Sequence, residues 1–213
     1  MAQAAYTLYG ISISGPTYKV ALYLALAGVS FDFVLTSPRG EAKTADYMTT
    51  KNRWGQVPVL VDNATGKSYR QAPSILEMLA EKTKKFRGKS PDDRLAIREW
   101  LFWDLDRLTP PVYRLRGQRL GFRQFGQAIA ELYHPEATAA LQVLEAHLTT
   151  QNWLVGKGMT IADIDIYGVL DYAAVGNIDL KPYPKVRAFM KRVQAKSGFG
   201  HPKDVIPAQS RKG

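Results

Sequence analysis

Three short segments combine a chain irregularity with polar groups able to hold a ligand. The first is Ser12-Ile13-Ser14-Gly15-Pro16-Thr17, two serines in a Gly-Pro turn ahead of a helical pattern. The second is Asn52-Arg53-Trp54-Gly55-Gln56-Val57-Pro58-Val59-Leu60-Val61, with a proline ahead of an apolar β-type run. Pro58 cannot donate to a sheet ladder, so it belongs at the first residue of a strand. An X-Pro bond takes the cis form at a cost of only about 0.5–1 kcal/mol. With that bond cis, the Val57 N–H and C=O turn away from the sheet, and a peptide-like ligand can pair with them as an added strand. With it trans, Pro58 simply opens the strand. The third segment is Gln71-Ala72-Pro73-Ser74-Ile75-Leu76, where a proline at the first helical position sacrifices no hydrogen bond. The chain has no cysteine, which excludes a disulfide framework, a thiolate metal site and a cysteine nucleophile. His134, His147 and His201 share no ligand-like spacing, so no metal is expected.

The elements that must position these segments follow from periodicity. Tyr6 to Gly10 reads as a strand, Tyr18 to Ala27 as a helix stopped by Gly28, and Phe31 to Leu35 as a second strand. A strand–helix–strand order of this length predicts a parallel pair. A loop and short helix fill roughly 36–51. Val57 to Asp62 and Lys67 to Tyr69, joined by Asn63-Ala64-Thr65-Gly66, read as a hairpin, and a helix opens at Pro73. Residues 1–80 therefore form a small α/β domain, 81–90 a basic linker, and 91–213 an all-helical domain. The helices of that second domain are expected over Pro91–Arg107, from His134 or Pro135 to Leu148, over Ile161–Val175 and over Pro184–Ala195. Thr160 and Asp163 have capping-box spacing, a device for starting a buried helix.

Composition narrows the class. With 213 residues and 46% hydrophobic content the chain can bury a real core. Its start lacks a basic segment followed by an apolar one, so no signal peptide is expected. No apolar run approaches the roughly 18 residues of a membrane span. A cytoplasmic protein is the expectation. The net charge of +10 is uneven: +2 over residues 1–80 and +8 over 81–213. The excess lies in Glu81–Ser90 and in residues 107–123, which hold Arg107, Arg114, Arg116, Arg119 and Arg123 without an acid. Such clusters can steer an acidic partner or simply solvate a surface. No nucleic-acid-binding signature accompanies them.

In this order the segments resemble the cytosolic glutathione S-transferase superfamily, with a bacterial, serine-type first loop close to the theta and delta classes. The resemblance covers nearly the whole chain and implies a thioredoxin-like N-terminal domain followed by an all-α C-terminal domain. It implies that Pro58 is cis and that Val57 pairs by backbone with the cysteinyl part of glutathione. Gln56 then lies near the glycyl carboxylate. Gln71 and the following helix N-terminus hold the γ-glutamyl carboxylate. Ala72 replaces the family serine whose hydroxyl binds that carboxylate, a loss of about 1.5–3 kcal/mol for a hydrogen bond to a charged group. Ser14-Gly15-Pro16-Thr17-Tyr18-Lys19-Val20 resembles the family first loop, with Thr17 in place of a cysteine. The resemblance makes Ser14 the first choice for the catalytic hydroxyl, with Ser12 second and Tyr9 third. Such a hydroxyl hydrogen-bonds the glutathione sulfur and favours its thiolate.

The resemblance further implies glutathione as a substrate, a small electrophile as its acceptor, and a homodimer. An acceptor wall is expected from Trp103, Arg107 and Tyr113 beside Pro110, Pro111 and Arg114. The alternative is a transferase fold used as an interaction module. There Arg114, Arg116 and Arg119 would bind an acidic protein partner such as the division protein FtsZ, and the segment from Gly198 to Pro207 resembles tails of bacterial members.

Overall fold

The computed structural model describes residues 4–122, 124, 126 and 128–212. The chain divides into two compact units, Met1–Lys85 together with Lys196–Gly213, and Phe86–Ala195.

The first unit is built on a four-stranded sheet: β1 (Tyr6–Gly10), β2 (Phe31–Leu35), β3 (Val59–Asp62) and β4 (Ser68–Arg70), in spatial order β2-β1-β3-β4. As expected, β1 and β2 are parallel, while β3 runs antiparallel to both β1 and β4. Three helices belong to it in this part of the chain: α1 (Gly15–Ala27), α2 (Ala45–Thr50) and α3 (Ala72–Thr83). Along β1 burial alternates, with Tyr6, Leu8 and Gly10 buried and Thr7 and Tyr9 less so, the period-two signature of a strand with two different faces. Leu8 and Leu60 are fully buried, as are Val20 and Leu24 of α1 and Ile75, Leu76 and Leu79 of α3. Tyr9, Val57 and Val61 instead pack on a cluster of Ala42, Tyr47 and Val59.

Several boundaries shift in this unit: α1 opens at Gly15 rather than Tyr18, and β4 spans Ser68–Arg70 rather than Lys67–Tyr69. The third strand begins at Val59, after Pro58 rather than before it. Helix α3 begins at Ala72, with Pro73 as its second residue. A larger difference concerns the tail. The tail from Lys196, expected in the helical domain, folds onto the first unit through its described residues 196–212. The buried Tyr18 hydroxyl donates to the Gly200 carbonyl at 2.9 Å. After the one-turn α9 (Pro202–Val205), Arg211 exchanges backbone hydrogen bonds with Phe33 at 2.7 and 2.8 Å. The tail thereby covers part of the outer edge of β2, where unpaired peptide groups would otherwise face outward.

The second unit is helical: α4 (Pro91–Trp103), α5 (Thr109–Arg119), α6 (Ala128–Thr150), α7 (Ile161–Leu170) and α8 (Pro184–Gln194). Ser90 and Asp93 form a capping box at the start of α4. Asp104–Leu108 adopts a π turn, closed by the Thr109 N–H donating to the Asp104 carbonyl. Pro110 and Pro111 follow immediately and lack the N–H groups that would continue an α pattern. The helix expected to Arg107 therefore ends at Trp103. Helix α6 starts well before the expected His134, with Pro135 inside it. The Glu131 carbonyl that Pro135 cannot serve belongs to an exposed residue, so water can satisfy it. Every residue of α7 is buried, and α7 is shorter than expected, giving way to a 3-10 turn at Ala174–Gly176. Among the described residues no helix is long and apolar enough to cross a membrane.

Candidate functional site

The sheet register brings the candidate residues to one end of the first unit. Gly10 pairs with Leu35, so β1 and β2 finish side by side, and Tyr9 pairs with Val59, so β3 starts there. Val59 in turn pairs with Arg70, so β4 finishes there too. The loops carrying Ser14, Gln56-Val57-Pro58 and Gln71-Ala72 all leave the sheet at this end.

Ser14 is the N-cap of α1. Its N–H donates to the Ile11 carbonyl at 3.0 Å, closing a turn whose central residues are Ser12 and Ile13. Its Oγ accepts the Thr17 N–H at 3.2 Å. Acceptance occupies a lone pair and leaves the hydroxyl proton able to donate outward. The position lies at the positive end of a 13-residue helix, which favours an anion. Ser12 sits in the turn itself, and Tyr9 sits within β1 with its ring edge-on to Tyr47 and the Lys51 ammonium 5.4 Å from its centroid.

The Val57–Pro58 bond is cis. The Val57 side chain packs on the Ala42, Tyr47 and Val59 cluster. Among the described residues no hydrogen bond reaches the Val57 N–H or C=O. The preceding loop is pinned from several directions. The Gln56 carbonyl accepts from Asn52 Nδ2 at 2.9 Å and the Tyr47 hydroxyl at 3.1 Å, and the Gly55 carbonyl from Lys43 Nζ at 2.7 Å. Burial pushes the Tyr47 phenol up to about 12, so it remains a donor across the physiological range. Gly55 has φ +58°, and a Cβ there would meet the Ala42 carbonyl oxygen at 2.9 Å. Lys43, Tyr47 and Arg70 also hold this loop and carry no local signal in the sequence. Arg70 Nε donates to the Lys51 carbonyl at 2.6 Å and ties this loop to β4. Only the tertiary fold joins these residues to the loop, although Asn52 ahead of Gly55 carries a local turn signal.

Gln71 links the second and third segments, its Nε2 donating to Gln56 Oε1 at 3.1 Å. Its backbone is in an uncommon region, φ 64° and ψ 116°, and among the described residues no side chain caps α3. The N–H groups of Ala72 and Ser74 have no partner within the helix, and Pro73 has none to offer. Backbone outliers held in place by surrounding structure cluster at ligand sites.

The remaining candidates lie in the second unit. Trp103 packs edge-on to Trp100, Arg107 pairs with Asp106 at 2.8 Å on the surface, and Tyr113 packs edge-on to Tyr172. Arg116 is no surface cation: it is only 9% exposed, with its guanidinium 4.1 Å from the Tyr172 ring centroid. Burial lowers its pKa, and its stacking serves the interior of that unit. Arg119 is exposed and Arg114 half-buried, so the three arginines form no uniform exposed patch. Among the described residues no group of three His, Cys, Asp or Glu could hold a metal ion.

A thioredoxin-like sheet with a cis-proline loop, joined to a helical unit, defines the class. The family descriptions "Glutathione S-transferase, N-terminal domain" and "Glutathione S-transferase, C-terminal domain" match residues 14–82 and 113–196. The disulfide-bond oxidoreductase YfcG of Escherichia coli (strain K12) is 30% identical over 154 residues, 68% of this chain and 70% of that one. A glutathione S-transferase from Xanthobacter autotrophicus has a structure similar at TM-score 0.86, with 32% identity over 93% of this chain and 97% of its own. One from Pseudomonas fluorescens gives TM-score 0.88 with 28% identity over 94% and 100%. The chain belongs to the glutathione S-transferase family.

Proposed function

We propose that the first unit binds glutathione and that the protein transfers it, as the thiolate, to a small electrophile. The observation that carries this reading is the unpartnered Val57 N–H and C=O at the same sheet end as the uncapped start of α3 and the Ser14 hydroxyl. The cysteinyl backbone of the tripeptide pairs with Val57 in the manner of an added strand. The γ-glutamyl carboxylate meets the N–H groups of Ala72 and Ser74, with Gln71 and Gln56 alongside. The sulfur lies at Ser14.

An ordinary thiol has a pKa of about 8.5. A hydrogen bond from Ser14 and the positive end of α1 both stabilise its anion. The thiol proton leaves to water. The sulfur lone pair then forms a bond to the electrophilic carbon, which expels a leaving group or accepts the addition. The same thiolate can attack a disulfide sulfur, and the E. coli relative carries that activity in its name.

Calorimetric titration with glutathione, and conjugation and disulfide-reduction assays on the wild type and the Ser14→Ala and Ser12→Ala variants, test the proposal. Expected are glutathione binding and a loss of turnover on Ser14→Ala of about tenfold or more, the worth of one hydrogen bond to a charged group. Absence of binding at millimolar glutathione would overturn the reading. Loss on Ser12→Ala alone would move the hydroxyl to Ser12.

A further inference from the structure

Gly10 ends β1 on the buried face of the sheet. The side chain of Thr17, in the first turn of α1, lies directly against it. A Cβ built on Gly10 would stand 2.3 Å from Thr17 Cγ2 and 2.6 Å from Thr17 Oγ1. Non-bonded carbon and oxygen atoms do not approach that closely, so a side chain at Gly10 would force Thr17 to move. Gly10 has no positive φ, which makes the restriction purely steric. Thr17 is fully buried, and among the described residues its hydroxyl has no hydrogen-bond partner. The side chain therefore acts there through its shape. Its own N–H is the group that holds Ser14 Oγ, at 3.2 Å.

We infer that Gly10 and Thr17 are positioning residues for the Ser14 hydroxyl: the bare Cα of Gly10 lets the Thr17 side chain dock against the strand, and the docked Thr17 fixes the N–H that anchors Ser14. This rests on the reading of Ser14 as the hydroxyl that faces the glutathione sulfur. A methyl group on Gly10 must displace Thr17 by about 1 Å to reach ordinary contact distance. The first turn of α1 moves with it. A hydrogen bond weakens steeply with misplacement, so the sulfur loses its donor while the peptide contacts at Val57 and α3 stay in place.

The readout is the titration of the glutathione thiol bound to the protein, followed by thiolate absorbance against pH. Its companion is glutathione affinity by calorimetry. For Gly10→Ala we expect the bound-thiol midpoint to rise by about one to two pH units, with affinity measured below that midpoint changed less than threefold. Gly10→Ala/Thr17→Ala removes the clashing atoms, leaving only Thr17 Cβ at 3.1 Å, and should bring the midpoint most of the way back. Thr17→Val keeps the shape without the hydroxyl and should leave the midpoint at the wild-type value. Thr17→Ala, which is free of any clash, should raise the midpoint and keeps the question open to test if Gly10→Ala does not fold. A Gly10→Ala or Thr17→Ala midpoint equal to wild type, or a Thr17→Val midpoint as high as that of Ser14→Ala, would overturn the inference. If Ser14→Ala itself leaves the midpoint unchanged, the fault lies with the role of Ser14 and not with the Gly10–Thr17 contact.

Discussion

Replacing Asp163 by Asn should flatten the dependence of stability on pH between about 4 and 6. Asp163 lies at the first turn of α7 and is fully buried. One carboxylate oxygen accepts the Leu154 N–H at 2.8 Å, and the other accepts the Thr160 N–H at 2.7 Å and its hydroxyl at 3.0 Å. These bonds favour the charged form, but burial outweighs them and raises the pKa from 3.8 to about 6. The native state thus holds a proton on Asp163 over a range in which the unfolded chain has released it. Stability falls with rising pH wherever the native state binds more protons than the unfolded state. The contribution is complete below pH 4, declines as pH rises toward 6, and is constant above. A displacement from 3.8 to about 6 corresponds to roughly 3 kcal/mol at about 1.4 kcal/mol per pH unit. Asn cannot titrate, and its NH2 faces donors that Asp163 accepted, at a cost of about 1–3 kcal/mol independent of pH. Urea unfolding of both proteins at closely spaced pH values is the assay. The wild type should lead by most at pH 4 and by roughly 3 kcal/mol less at pH 7. Parallel curves across that range would refute the claim that burial outweighs the three hydrogen bonds.

Ala72→Ser should restore a hydroxyl at the start of α3 and tighten glutathione binding by about tenfold to a hundredfold by calorimetry, with the bound-thiol midpoint unchanged; an unaltered affinity would place the carboxylate elsewhere. Gly55→Ala forces an L side chain into φ +58° and against the Ala42 carbonyl oxygen at 2.9 Å. It should lower unfolding free energy by about 1–3 kcal/mol and weaken glutathione binding with it, because the Gly55 and Gln56 carbonyls anchor the loop leading to Val57.

Much of the first unit is legible in the sequence because its signals are local. Tyr6–Gly10 and Phe31–Leu35 match the expected strands residue for residue, and the end of α1 at Gly28 is set by the glycine's left-handed backbone, φ 67°. Prolines mislead where their effect depends on surroundings. Pro135 reads as a helix start, yet it lies within α6 because the carbonyl it deprives is exposed. Pro110 and Pro111 leave a periodic pattern looking continuous to Arg107, whereas the chain widens into a π turn from Asp104. The tail beyond Lys196 has no amphipathic period to announce its destination. Its place is set by long-range contacts: Tyr18 to Gly200, Phe33 to Arg211, the Leu35 N–H donating to Ser210 Oγ, and the buried Ile206 side chain.

The site divides along the same line. Val57, Pro58, Gln71 and Ser14 are visible because each sits at an irregularity the chain itself encodes: a proline ahead of a strand, a helix start, a Ser-Gly-Pro turn. Arg116 misleads because a charge in sequence says nothing of burial, and only the fold places it against Tyr172. The residues that set precision are the least visible. Gly10 looks like the end of a strand, and Thr17 like a substitution in the family's first loop. Neither offers a side-chain polar contact, since the Thr17 hydroxyl has no partner among the described residues and Gly10 has no side chain. What they contribute is a separation, 2.3 Å from a Cβ that is not there, and a separation between two buried groups has no counterpart in composition, periodicity or motif. Ser14, the hydroxyl proposed to meet the sulfur, can thus be picked out from sequence, while the contact beneath it that sets its anchor appears only in the fold.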